Sequence, residues 1–322
     1  MGGSSNVINV GVSCAAGTES VLYSFGSSAT EGSGPLSGLI MDSAENFYGT
    51  TSAGGTYDLG TVFKINPNGT EAILYAFAGG TTDGQFPLGR LVMDSAGNLY
   101  GTTALGGAND LGTVFKISAA GTETVLHSFA GRQQPNGRLI MDSAGDLYGT
   151  TTGGGANNGG TVFKISPNGT ETILHAFAGG TTDGAEPEGG VIMDSAGNLY
   201  GTTAGGGAYD LGTVFKISPA GTETVLHSFV GGTTDGADPQ AALIMDSAGN
   251  LYGTTVDGGA NNDGTVFKIS PAGTETVLRS FVGGATDGAR PEAALVMDSA
   301  GNFYGTTQSG GTYHGGTLFT IN

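Results

Sequence analysis

The residues equipped for chemistry in this chain recur at fixed intervals. An acid stands six positions after a Phe in five places, at Glu31, Asp83, Asp183, Asp235 and Asp287. Gathered into a ring, such carboxylates suit Ca²⁺, which takes 6–8 oxygen ligands. The same acids also end "TTDG"-type turns, where an Asp side chain caps nearby backbone, so a turn explains them without an ion. His127, His175 and His227 share one repeat position, filled elsewhere by Tyr23, Tyr75 and Arg279. Spread over separate outer strands, they read as solvated side chains, because one ion needs all its ligands within about 2 Å.

Arg90 and Arg138 occupy one position in neighbouring copies, where the others have Gly38, Gly190, Ala242 and Ala294. Two guanidinium groups side by side suit a carboxylate or phosphate. The plainer reading is charge balance against nearby acids. Two residues earlier in the other copies come Glu188, Gln240 and Glu292. Tyr57, Tyr209 and Tyr313 each precede a polar residue, Asp58, Asp210 or His314. A ring to stack on beside hydroxyl-bonding groups suits carbohydrate, although Asn and Asp are also ordinary turn residues. For catalysis the sequence offers no nucleophile–His–acid set, and Glu188 with Glu292 is its best carboxylate pair. Lys64, Lys116, Lys164, Lys216 and Lys268 face a following strand that opens with Glu71, Glu123, Glu171, Glu223 or Glu275, which predicts cross-strand ion pairs of small value.

These residues sit in a repeat. "MDSAGNLYGTT" begins at Met93, Met193 and Met245 and returns with small changes at Met41, Met141 and Met297, a spacing of 52 residues broken once by 48. The short copy, the third, replaces its "TTDG" loop with Gly131–Pro135, either an opening for a ligand or a tolerated deletion. Each copy carries four short β-rich segments; in the fourth these are Val191–Asp194, Asn198–Thr203, Thr213–Ile217 and Glu223–Phe229. "DSAGN" and "SPAGT" between them are tight turns, in which Gly accepts positive φ. The two longer connections must emerge together at the opposite end, and ligand residues are expected on such loops.

Four antiparallel strands in about 50 residues, six times over, predict a six-bladed β-propeller. The array starts with an outer-strand segment, Glu19–Phe25, and ends with a third-strand segment, Thr317–Ile321. Pairing these two would close the ring without an exposed edge, a 1+3 closure. The recurring Phe and Tyr then pack blade against blade. Residues 1–16 read as a tail and 17–322 as one domain.

Composition agrees. Gly is 63 of 322 residues, which disfavours long helices and fits many turns. A net charge of −18 repels phosphate backbones and anionic lipid, so nucleic acid and bilayers are excluded as partners. Cys14 is the single cysteine, so no intrachain disulfide forms. The first residues lack a basic start and a long apolar run, and read as neither signal peptide nor membrane span. Copies this alike also fit recent duplication or consensus design.

The repeat core, "GTVFKISPAGTETVLHSF…DG…P…LIMDSAGNLYGTT…GG", resembles that of the GloVer repeat proteins from Gly17 to Asn322. Its "D-x-x-G-N-L-Y" segment is also similar to NHL-type propeller repeats. The resemblance implies a repeat array on exported or surface-anchored bacterial proteins, with no activity to carry over. The expectation is therefore a monomeric binding or structural propeller for a small molecule, glycan or protein. A lectin-like or Ca²⁺-dependent binder comes second, and a hydrolase or lyase third.

Overall fold

The computed structural model describes residues 21–28, 30–135 and 137–322. All assigned elements among them are β-strands, and no helix is long and apolar enough to cross a membrane. The strands build a six-bladed β-propeller. In the fourth blade, the strands run outward from Ile192–Met193 through Leu199–Thr203 and Thr213–Ile217 to Glu223–Ser228, each antiparallel to its neighbour. The first, third and fifth blades repeat this order, and the second adds Gly84–Pro87 alongside its long second strand.

The repeated phrase folds as one hydrogen-bonded unit. Asp194 Oδ1 accepts the amides of Ala196 and Asn198, while its Oδ2 accepts the Asn198 side-chain amide and the Tyr200 hydroxyl. Gly197, with φ +80°, turns the chain between them. Asp, Ala, Gly, Asn and Tyr of the phrase therefore serve one tight turn, while Leu199 starts the next strand and enters the core. In the third copy Asp146 replaces the Asn and pairs with Lys164.

Blades pack through rings. Each outer-strand Phe meets the third-strand Phe of the next blade edge to face, as Phe177 does Phe215 at 5.0 Å. Around that pair Val162, Val191, Leu199 and Ile217 are buried, with Tyr148 and Met193 packed against them. Equivalent cores join blades one to two, two to three, four to five and five to six. The expected aromatic packing is thus present.

The seam between the sixth and first blades differs. The sixth sheet has three strands among the described residues, Val296–Met297, Phe303–Thr307 and Thr317–Ile321. The expected pairing of Glu19–Phe25 with Thr317–Ile321 is corrected here: Glu19 and Ser20 lie outside the described residues, and 21–25 form no strand. The segment keeps the contacts with the next blade that outer strands make elsewhere. Phe25 packs on Phe63 at 4.9 Å, and the Tyr23 hydroxyl donates to Glu71 at 2.8 Å. Leu318 is 77% exposed, whereas its counterpart Val214 is fully buried.

Candidate functional site

Both long connections lie at one end, as expected, and a short bridge ties them together. Gly184 and Ala185 pair with Gly206 and Gly205, and the same pairing recurs in blades five and six. This leaves a firm rim on which the sequence's asymmetric residues can be placed.

Arg90 and Arg138 come together at the channel wall. Together with Ile40, Met93, Asp94 and Ile140, they line a cavity of about 510 Å³ that spans the first three blades. The arginines lie against glycines of the flanking copies: a Cβ on Gly38 would meet Arg90 Cδ at an ordinary 3.4 Å, whereas one on Gly190 would stand 2.8 Å from the Arg138 carbonyl, a close approach of backbone to backbone. Arg90 Nε donates to the Leu39 carbonyl at 3.2 Å. Arg138 Nε is sealed from solvent without a hydrogen-bond partner. Burial, and then the charge of Arg90, lower the Arg138 pKa below the usual guanidinium range. Neither Arg pairs with a carboxylate among the described residues. Asp94, the acid that lines the same cavity, is held instead by Asn98 and Tyr100.

The other side of the mouth is acidic. Burial, then Asp238, Glu186 and Glu292, raise the Glu188 carboxyl above its ordinary value. Gln240 donates to Asp238 at 2.9 Å. The shortened third-copy loop leaves a cavity of about 600 Å³ bordered by Arg132, Gln134, Asn158, Glu186 and Glu188.

The acids at Glu31, Asp83, Asp183, Asp235 and Asp287 do not gather into a ring. Each stays beside its own outer strand, held by Tyr23, Tyr75, His175, His227 and Arg279 in turn. Asp183 also accepts the amides of Ala178 and Gly184, each at 2.7 Å, so the capping role of "TTDG" is real. A ring site for Ca²⁺ is therefore not assembled.

The histidines are corrected too. They are not solvated but four-fifths buried, each in a niche where two blades meet. His175 Nε2 lies 3.3 Å from both Asp183 oxygens, and Glu223 of the next blade completes the set within 4.8 Å. His127 Nε2 approaches Glu171 at 3.5 Å, with Gln133 standing where other copies have the acid. The glutamates were expected to pair with lysines. Instead Lys216 lies opposite Thr224 with its Nζ 5.7 Å from the Tyr200 ring centre, and Glu223 faces the preceding blade. Burial, then the nearby Asp, raise Glu123, Glu223 and Glu275 to about 7. Sequence reasoning missed this role; the glutamate recurs visibly, but only a blade-to-blade contact assigns it.

Tyr57, Tyr209 and Tyr313 are exposed. Tyr57 borders a rim cavity of about 570 Å³ with Glu31 and Asp58, a different cavity from the one the arginines line. Asp58 and Asp210 are turn residues with φ +58°, each accepting an amide of its own loop, and His314 has the same backbone, φ +57°. A further cavity, about 1140 Å³, opens at the tight-turn end between blades four and six, opposite to expectation. Its Asp194 and Asp246 already accept four hydrogen bonds each.

Fold and rim together define a six-bladed β-propeller whose channel carries two adjacent arginines without ion pairs among the described residues. The Gloeobacter/Verrucomicrobia repeat model matches residues 4–193 and 172–322, and the chain belongs to that repeat family. No curated protein matches the sequence. Among solved structures it is similar to a streptogramin B lyase at 14% identity and TM-score 0.61, over 92% of this chain and 86% of that one. An oligogalacturonate lyase in complex with manganese gives 13% and 0.53, over 86% and 70%. The extracellular domain of a hybrid two-component system from B. thetaiotaomicron gives 14% and 0.54, over 92% of this chain but 35% of that one. At these identities the likeness concerns the fold.

Proposed function

We propose that this propeller is a non-enzymatic binding module that takes a small carboxylate- or phosphate-bearing ligand in its central channel. One observation carries the reading: in a chain of net charge −18, Arg90 and Arg138 face one cavity and neither makes an ion pair among the described residues, its lining acid Asp94 being engaged by Asn98 and Tyr100. Like charges brought together and partly desolvated cost free energy, and an anion relieves that cost through charge-assisted hydrogen bonds. The acidic residues around Glu188 on the far side of the mouth then select against large polyanions. Fold neighbours that are lyases keep a catalytic reading open to test, and an exported or surface location fits the family resemblance.

The test is isothermal titration of the full chain with citrate, galacturonate and inorganic phosphate at low salt. At least one should bind, weaken with added salt, and lose tenfold or more in affinity in both R90Q and R138Q. Binding that ignores both substitutions, or no binding by any of the three, sinks the proposal. Turnover of a lactone or uronate substrate that is lost in E188Q would replace it with an enzyme.

A further inference from the structure

We propose that the junction of the third and fourth blades is a site for a divalent transition-metal ion of the zinc class, held by His175, Asp183 and Glu223. The three side chains come from an outer strand, the turn that follows it, and the outer strand of the next blade. One ligand atom from each lies within 4.8 Å of the others, and this is the one such group among the described residues. His175 Nε2 is 3.3 Å from both Asp183 oxygens. That is long for a hydrogen bond, but it matches the edge of a tetrahedron built on metal bonds of about 2.0–2.1 Å.

The site is built rather than incidental. Glu223 Oε1 is sealed from solvent and has no hydrogen-bond partner. Asp183 is held in place by the amides of Ala178 and Gly184, the outer support that metal ligands commonly have. An imidazole with two carboxylates suits zinc-class ions, whereas Ca²⁺ wants six or more oxygens and no imidazole. Sister junctions share the orphaned glutamate oxygen, at Glu71, Glu123 and Glu275, but differ in the other ligands: Tyr75 donates to Asp83 at 3.0 Å, and Gln133 stands in for the acid beside Glu171 at 3.0 Å. The next junction repeats the residue types as His227, Asp235 and Glu275, with His227 Nε2 at 3.2 Å from Asp235.

ZnCl₂ alone, titrated calorimetrically into the EDTA-stripped and dialysed full chain, tests the site. Saturable binding is expected, with one equivalent lost in H175Y and that equivalent weakened at least tenfold in E223Q. H175Y recreates the natural Tyr75 junction, so it should fold, and its melting temperature without metal reports this. No saturable zinc binding overturns the proposal. So does binding unchanged in stoichiometry and affinity in either variant, which would point to exposed His314. CaCl₂ binding as tightly at the same residues overturns the metal class.

Discussion

Phe177 and Phe215 meet edge to face at 5.0 Å with their planes at 61°, and this contact joins two blades that share no strand pairing. Each ring is fully buried. Replacing either with Ala should cost about 3–5 kcal/mol. The double variant should cost about 1 kcal/mol less than the sum, because the edge-to-face term is lost once. Chemical denaturation of the four proteins measures this. Strict additivity would show that the rings act by buried area alone.

Gly201 exists for that ring. A Cβ there would stand 2.6 Å from Phe215 Cζ and 3.1 Å from the Gly190 carbonyl. Its φ is not positive, so the constraint is space rather than backbone freedom. G201A should therefore lose about 1–3 kcal/mol through overpacking. Trimming Phe215 to Leu in the same chain should recover part of it, read again by denaturation.

The "YGTT" glycine shows what the sequence made legible and what it did not. Period, strand order and turn chemistry could be read from Met41 to Met297, because they are local and each copy repeats them. The Phe and Tyr stripes were likewise readable as inter-blade packing. Contacts across a junction were not. Glu223 lies 40 residues beyond Asp183, and nothing along the chain says that the two meet. Its lysine neighbour offered a more obvious partner, which the cation–π contact with Tyr200 takes instead. At the seam, Phe25 and Tyr23 make on the first blade the contacts an outer strand makes on the next blade elsewhere, yet residues 21–25 form no strand, so strand count alone overstated the pairing.

Glu123 makes the stability of the junction between the first and second blades depend on pH. Burial, then the charge of Asp83, raise its carboxyl from the ordinary 4.5 to about 7. A raised carboxyl pKa means that folding favours the protonated form. Its stabilising contribution is fully present below pH 4.5 and is lost as pH rises through 7. E123Q should match the parent near pH 5 and exceed it at pH 8 by an order of 1–2 kcal/mol. Thermal melts in EDTA-containing buffers check this. Asp42 works the opposite way: burial would raise it, but hydrogen bonds from Asn46 and Tyr48 prevail and hold it at about 2, so that its contribution fades only in strong acid.

Val214 and Leu318 hold the same repeat position, one buried and the other 77% exposed. In the fourth blade, the outer strand pairs with Thr213–Ile217, and Val214 packs with Phe229 and Phe267 toward the fifth blade. In the sixth blade, nothing among the described residues pairs with the outer side of Thr317–Ile321. V214A should therefore cost about 2 kcal/mol, transfer and cavity together. L318A should stay within about 0.5 kcal/mol, as exposed substitutions do. Amide exchange should follow the same order, with the strand around Leu318 opening well before the one around Val214. An L318A penalty equal to that of V214A would mean that a strand covers this face in solution, and that the ring is sealed where the structure leaves it bare.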